Sequence, residues 1–400
     1  MAQSLIHGID VGTTKIVALT GRIDTQRGTV EVLSVGEAPS HGLKRGVVVD
    51  REAAADSVAE AMNACGMGDV PVVVGIAGSH ISSFNTEVTL LNRSRNLSVT
   101  ERFVRKLEYE ARQVSVDEDD QVIHVIPRSY VLDGSEGVQQ PVGLAARKVM
   151  MRAHVVTGAI SSIQNLLYAV EDCGVRVAQV VLEPLASAEA CLRAADRDAG
   201  VVLIDIGGGT TDMAVFLKGT LVHTAVIPIG GESFTSDVAY GLKVPYEIAE
   251  RLKVRYGTVL SRIVDSVAAV EINNRHYNAH FLSQILEYRA QEVFEYVNNS
   301  LKENGLRTQI SGDTVLTGGG SLLDGMTELA EDILGIPART AAPYAARGDF
   351  NVLRKPQYST SVGLLNFAAR QTKAKAQSKG ARVNSFGSIV EAIKGWFRGV

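Results

Sequence analysis

One phrase occurs twice in this chain and constrains its fold more than any other feature. Near the start stands Ile9-Asp10-Val11-Gly12-Thr13-Thr14-Lys15, and at mid-chain Ile204-Asp205-Ile206-Gly207-Gly208-Gly209-Thr210-Thr211-Asp212. Each copy follows an apolar run, carries an aspartate at the strand end and closes in a glycine- and threonine-rich turn. Such a turn presents backbone N–H groups and hydroxyls, which suit phosphate oxygens. A single copy reads equally well as a tight turn after a strand. Two copies in the same order, one in each half of the chain, point to two related lobes clamping one nucleotide.

The chemistry of that reading is specific. The phosphates of ATP need N–H donors, here the amides of Gly12, Thr13 and Thr14 and of Gly207, Gly208, Gly209, Thr210 and Thr211. They also need positive charge, part of which Lys15 can supply. Asp10 and Asp205, one per lobe, suit the water shell of a Mg²⁺ ion, which usually keeps several waters. Rival phosphate motifs are absent: no Gly-Lys dipeptide and so no Walker A loop, and no G-x-G-x-x-G opening a helix after a strand. A third glycine turn, Gly318-Gly319-Gly320-Ser321, follows an apolar stretch and precedes helical spacing. Glycine lets an adenosine lie against backbone without side-chain obstruction. A flexible loop is the alternative there.

At 400 residues the chain exceeds the size at which single cores stop growing, so more than one domain is expected. With 46% hydrophobic and 21% charged residues it has the composition of a soluble globular protein. Cys65, Cys173 and Cys191 are few and lack metal-ligand spacing, which fits a reduced cytosolic setting. The first residues run straight into an apolar strand pattern, so no secretory signal is expected. The charge is uneven. Residues 370–400 carry seven basic residues and one acid, or +6, against −4 for the whole chain, which leaves −10 for the body. That argues against nucleic acid as a partner of the body and for a tail that seeks an anionic surface.

Along the chain, 5–10, 16–24 and 30–35 read as strands, 51–66 as a helix and 70–77 as a buried strand. Residues 84–157 alternate apolar and polar residues around one helix near 100–113, and 84–158 reads as an inserted subdomain. The rest of the first-lobe core (1–83) is completed by 159–195 and 358–370, with helices at 159–173 and 184–195 around a strand at 175–182. The second-lobe core is 196–230, completed by 304–357, with 231–303 as its helical subdomain. A helix near 323–334 and one over 360–370 close the body, and 371–384 reads as a flexible basic linker. His276 and His280 are one helical turn apart, without a third ligand, and read as a solvated helix face. Strands alternating with helices in both halves indicate α/β architecture.

Residues 385–400 form a separate signal. Phe386, Ile389, Val390, Ile393, Trp396, Phe397 and Val400 fall at helical spacing as one apolar stripe, with Glu391, Lys394 and Arg398 opposite. A helix docked on its own protein is the ordinary reading of such a stretch. The basic linker before it and its bulky aromatics favour a helix lying in a membrane interface. It is too short to span one.

Two phosphate turns and a later Gly-Gly-Gly turn resemble the actin, Hsp70 and sugar-kinase superfamily. Pro228-Ile229-Gly230-Gly231-Glu232-Ser233-Phe234 is similar to the Gly-Gly turn that touches phosphate in the Hsp70 and bacterial actin branches. Glu183-Pro184, ahead of a small-residue helix, is similar to their linking helix, whose glutamate orients a hydrolytic water. The helix with Glu250 and Lys253 matches the place where those families grip adenine and ribose. The spacing puts both on one helix face, as an ordinary surface ion pair would also require. Within the superfamily, GIDVGTTKI at the start, residues 123–158 and the C-terminal segment resemble the FtsA family of bacterial cell-division actin homologues.

The resemblance implies an actin-like ATPase fold (ribonuclease H-like) with two lobes and an FtsA-type insertion. It implies ATP with Mg²⁺, self-association into filaments and attachment to the cytoplasmic face of the inner membrane at the division site. It further implies capture of the C-terminal peptide of FtsZ, and contact with other divisome proteins. Useful hydrolysis of ATP is left open. If it occurs, Glu183, Asp10 and Asp205 are the residues expected to carry it. A small-molecule kinase of the same superfamily and a PilM-like pilus-assembly adaptor are the alternatives. The first lacks an identifiable substrate base, and neither needs the terminal stripe.

Overall fold

The computed structural model describes residues 4–24, 29–68, 71–344 and 350–378. The membrane stripe expected at 385–400 lies outside the described residues. The first lobe begins with β1 (Ser4–Val11), β2 (Lys15–Asp24) and β3 (Thr29–Pro39), a short hairpin β4 (Leu43–Lys44) and β5 (Val47–Val48), then α1 (Arg51–Cys65) and β6 (Val72–Ile76). The Asp50 carboxylate caps α1 by accepting from the Ala53 amide, and Gly66 ends the helix in the left-handed conformation. The insertion follows: β7 (Ile81–Leu91), α2 (Glu101–Arg112), β8 (Asp120–Leu132), β9 (Ser135–Val138) and β10 (Lys148–Ala159). The lobe resumes with α3 (Ile160–Glu171), β11 (Val177–Leu182), α4 (Glu183–Cys191) and α5 (Ala194–Ala199).

The second lobe repeats the plan. It contains β12 (Val201–Ile206), β13 (Thr211–Leu217), β14 (Thr220–Ile227), α6 (Gly231–Leu242) and α7 (Tyr246–Tyr256). A hairpin of β15 (Ala269–Ile272) and β16 (Arg275–Asn278) leads into α8 (Ala279–Glu303). Then come β17 (Thr314–Thr317), α9 (Met326–Leu334), β18 (Ala338–Thr340) and α10 (Ser359–Ser378).

The two lobes have the same sheet. Strand order is β3-β2-β1-β6-β11 in the first and β14-β13-β12-β17-β18 in the second. In each, the first three strands are antiparallel neighbours and the last two run parallel to the central strand. The doubled phrase therefore occupies equivalent places, at the tight turn between β1 and β2 and at that between β12 and β13. The third glycine turn follows β17, whose counterpart in the first lobe is β6. The turn at Ala77-Gly78 after β6 is thus the counterpart of the Gly318–Gly320 turn after β17.

A single core spans both lobes. Val17, Leu19 and Val181 of the first sheet pack with Leu203, Phe216 and Val315 of the second, through Ala186, Ala190, Leu364 and Leu365 of α4 and α10 between them. Small residues permit that close crossing. A Cβ on Gly363 would lie 1.9 Å from the Ala186 carbonyl oxygen. The insertion has its own antiparallel sheet, β7-β10-β8-β9, backed by α2 around Leu107, Val149 and Met151.

Three local expectations are corrected. The helix expected over 184–195 breaks at Leu192, whose backbone is extended (φ −107°, ψ 126°), and restarts at Ala194. The basic linker expected at 371–384 is helical as far as Ser378, because Lys373, Ala374, Lys375, Ala376 and Gln377 are good helix formers that let α10 continue. His276 and His280 do not share a helix. His276 lies on β16 and His280 on α8, after the cap Asn278, and the His280 Nδ1 meets the Val264 carbonyl at 3.0 Å.

Candidate functional site

The two glycine-threonine turns meet face to face where the lobes join. A Cβ on Gly208 would come within 2.4 Å of the Thr14 side chain, and one on Gly209 within 2.4 Å of Thr13 Oγ1. The second turn is closed by the Gly207 amide donating to the Thr210 carbonyl at 2.9 Å. The Gly231 and Glu232 amides donate to the Gly207 and Gly208 carbonyls, which seats the Gly230-Gly231 turn directly behind it. Thr211 Oγ1 donates to the Ile229 carbonyl at 2.8 Å and completes the junction. Gly12, Thr13, Thr14, Gly207–Thr211, Gly230 and Gly231 are therefore brought together.

Asp10 and Asp205, each one residue from the end of its strand, are buried near these turns, and the N-terminal turn of α10 reaches both. Ser361 Oγ donates to Asp10 Oδ2 at 2.6 Å, and Thr360 Oγ1 to Asp205 Oδ2 at 3.1 Å. Ser187 of α4 adds a 2.5 Å hydrogen bond to the same Asp205 oxygen. Sequence reasoning alone misses these three hydroxyl residues. The signal is present: Ser359-Thr360-Ser361 opens an apolar helical stripe, as capping residues do.

Glu183 begins α4 and completes an acidic cluster with Asp10, Asp205 and Asp212. Gly75 in β6 makes room for it, since a Cβ there would be 3.1 Å from Glu183 Cγ. Burial, then the charges of Asp10, Asp212 and Asp205, hold the Glu183 carboxyl well above the usual range. Burial, followed by the charge of Asp10, pushes Asp205 up to about 6 against the hydrogen bonds from Ser187 and Thr360. Burial and Asp205 push Asp212 up to about 8. Burial also raises Asp10, opposed by Ser361 and Lys15. Asp212 Oδ1 is buried without a hydrogen-bond partner among the described residues. Such a cluster suits a divalent cation, which relieves repulsion between carboxylates. Among the described residues no three His, Cys, Asp or Glu side chains are grouped to ligate a metal directly. Carboxylate oxygens such as these are donors that suit a hydrated divalent ion.

The Lys15 ammonium lies 3.7 Å from the centre of the Tyr358 ring and 3.6 Å from Glu37, with no hydrogen bond among the described residues. Gly318 has φ 80°, and a Cβ there would stand 2.4 Å from Asp205 Oδ1, so this turn abuts the aspartate. Gly319 and Gly320 continue in one turn of 3₁₀ helix. Lys253 donates to the Gly231 carbonyl at 3.0 Å and pairs with Glu250 at 2.7 Å; Thr235 donates to the same Glu250. Glu250 and Lys253 thus tie α7 to the start of α6, one turn from the phosphate turn.

The duplicated sheet, with two glycine-threonine turns facing across a cleft, defines an actin-like ATPase fold. Solved structures with this architecture include the PilM–PilN type IV pilus biogenesis complex, with TM-score 0.68 and 16% identity over 91% of this chain and 98% of that one. MreB5 of Spiroplasma citri bound to ADP matches with TM-score 0.56 and 15% identity over 93% and 98%. The model of the family described as cell division protein FtsA matches residues 202–363, and that of the SHS2 domain inserted in FtsA matches 78–157. The cell division protein FtsA of Pseudomonas aeruginosa is 36% identical over 99% of this chain and 98% of its own length. That of Escherichia coli is 33% identical over 99% and 98%. The chain belongs to the FtsA family of cell division proteins.

Proposed function

We propose that this chain binds one Mg²⁺·ATP between its lobes and uses it to set the geometry of a filament held at the cytoplasmic face of the inner membrane during division. The observation that carries the reading is the meeting of the two turns over an acidic floor supplied equally by both lobes. The ADP bound to MreB5, and the AMPPNP bound to it in a second structure, support the reading by analogy of fold. Because Thr13 and Thr14 already touch Gly209 and Gly208, the turns must separate to admit a triphosphate. Ligand occupancy is thereby coupled to the angle between lobes, and to head-to-tail contact between copies.

Asp10 and Asp205 would hold the metal through its waters, with Asp212 Oδ1 free to accept from that shell. The metal supplies charge for the phosphates. Amides of Gly12–Thr14 and Gly208–Thr210 orient the phosphate chain, while Gly318–Gly320 and the Glu250–Lys253 pair border the nucleoside. Glu183, whose carboxyl burial and the neighbouring carboxylates hold well above the usual range, is the residue assigned to position a water.

The FtsZ C-terminal peptide is assigned to the helical subdomain, where Tyr240, Val267, Phe281 and Tyr288 are exposed. Membrane attachment is assigned to 385–400. Among the described residues no helix is long and apolar enough to cross a membrane. Calorimetric titration with Mg²⁺·ATP tests the clamp. One site per chain is expected, with affinity for Mg²⁺·ATP lower by roughly 10–100-fold in Asp10→Asn/Asp205→Asn. No binding by the unaltered chain, or sugar-dependent formation of ADP, would overturn the reading.

A further inference from the structure

A hairpin of the first lobe stands over both phosphate turns and carries a cation that the clamp does not yet use. Arg45 is the tip residue between β4 and β5. The base of the hairpin is fixed by the Val49 and Asp50 amides, which donate to the Gly42 carbonyl at 2.8 and 3.1 Å. The tip is held from three sides. The Gly46 amide donates to Thr13 Oγ1 at 3.1 Å. A Cβ on Gly209, across the cleft, would stand 3.0 Å from Arg45 Cα. A Cβ on Gly78, in the turn after β6, would stand 3.1 Å from the Arg45 carbonyl oxygen.

Arg45 also holds φ at 50°, a region that disfavours any residue with a Cβ. Glycine would sit there more easily. A long cation kept in a strained tip, against two phosphate turns, points to a use for its side chain. Among the described residues its guanidinium makes no hydrogen bond or ion pair. The charge set against it is Glu232 at the start of α6, in the other lobe. The other clamp cations are engaged, Lys15 over Tyr358 and Lys253 with Gly231, Thr235 and Glu250.

We propose that Arg45 distinguishes ATP from ADP by taking the terminal phosphate where Thr13 and Gly209 meet, so tying the first-lobe hairpin to the second-lobe turn. The inference rests on the nucleotide reading above. A guanidinium fork matches phosphate oxygens in two-point contact, which a lysine does not reproduce. Arg45 then registers the nucleotide state because only the triphosphate reaches it.

The test is calorimetric titration of the full chain, Arg45→Ala and Arg45→Lys with Mg²⁺·ATP and with Mg²⁺·ADP. Arg45→Ala is expected to bind ATP about 10–100-fold more weakly while ADP affinity is unchanged. Retained ADP binding also shows that the variant is folded. Arg45→Lys, which keeps the charge on the same backbone, is expected to lose less ATP affinity than Arg45→Ala. Equal losses for both nucleotides, or no loss in either, would overturn the proposal while leaving the clamp standing. Binding of neither nucleotide by the unaltered chain would overturn both.

Discussion

Among the residues of the site, the acidic floor has the most direct consequences. Asp212 has a folded pKa of about 8, above its unfolded value, so its bound proton favours the folded state. That contribution is complete below about pH 4 and is lost as pH rises through about 8. Asp212→Asn is neutral at every pH. Without nucleotide or metal, Asp212→Asn should melt above the unaltered chain by a margin larger near pH ~8.5 than near pH ~5. Scanning calorimetry at the two pH values measures the margin, and a constant margin would refute the assignment. Glu183→Gln should keep nucleotide binding and slow phosphate release; lost binding would mean its role is misassigned. Asp10 and Asp205 were legible because duplication marks them twice. Asp212 lay inside the same phrase but had no counterpart, since register places Val17 opposite Asp10 and Asp212 opposite Asp205. Ser187, Thr360 and Ser361 were not legible as site residues, because they come from segments remote in sequence that only the fold brings to the aspartates.

At the level of elements, the crossing of α4 and α10 and the seam of the insertion matter most. Gly363→Ala places a methyl 1.9 Å from the Ala186 carbonyl oxygen, so the helices must move apart. A loss of about 1–3 kcal/mol is expected from urea unfolding. Because the same α10 presents Ser361 to Asp10, weaker nucleotide binding should accompany it. The insertion is fastened to both lobes through buried histidines. His124 Nε2 accepts from the Leu182 amide at 3.1 Å, one residue before Glu183. His154 Nε2 accepts from Thr224 Oγ1 of β14 at 3.0 Å, while its Nδ1 donates to Asn85 Oδ1. Burial, with the charges of His223 and Arg128, lowers His154 to about 3. A lowered base loses stability as pH falls below its unfolded value of about 6.5. Exchange at the amides of β7 and β14, corrected for intrinsic rate, should therefore quicken between about pH 7 and about pH 5. Unchanged protection there would show that the seam does not depend on a neutral His154. Strands of the insertion were legible from their alternation. The break at Leu192 and the hairpin before α8 were not, because local spacing of alanines and of His276 with His280 mimics one continuous helix.

In the molecule as a whole, a repeated phrase predicted a repeated lobe, and the two sheets have the same strand order. That much follows because an apolar run followed by a Gly-Thr turn and a second apolar run selects the same strand-turn-strand geometry in each half. The shared core through α4 and α10 was not predictable from either half alone. The tether proposed for 385–400 belongs to this scale too. A single acyl chain binds membranes with only about 10⁴ M⁻¹, and a short amphipathic helix is comparable. Each lysine or arginine held near anionic lipid adds about 1 kcal/mol. On that proposal one anchor would bind weakly and a filament of anchors firmly. A variant that cannot assemble should bind vesicles more weakly than the unaltered chain, and equal affinity would contradict the coupling.

The most direct test of a nucleotide clamp that governs assembly at a membrane uses Trp396, the one tryptophan of the chain, which lies on the expected membrane face. Its emission is followed while anionic vesicles are added in the presence of Mg²⁺·ATP and, separately, Mg²⁺·ADP. A blue shift reached at lower lipid concentration with ATP than with ADP is predicted. No shift, or the same curve with both nucleotides, would contradict it.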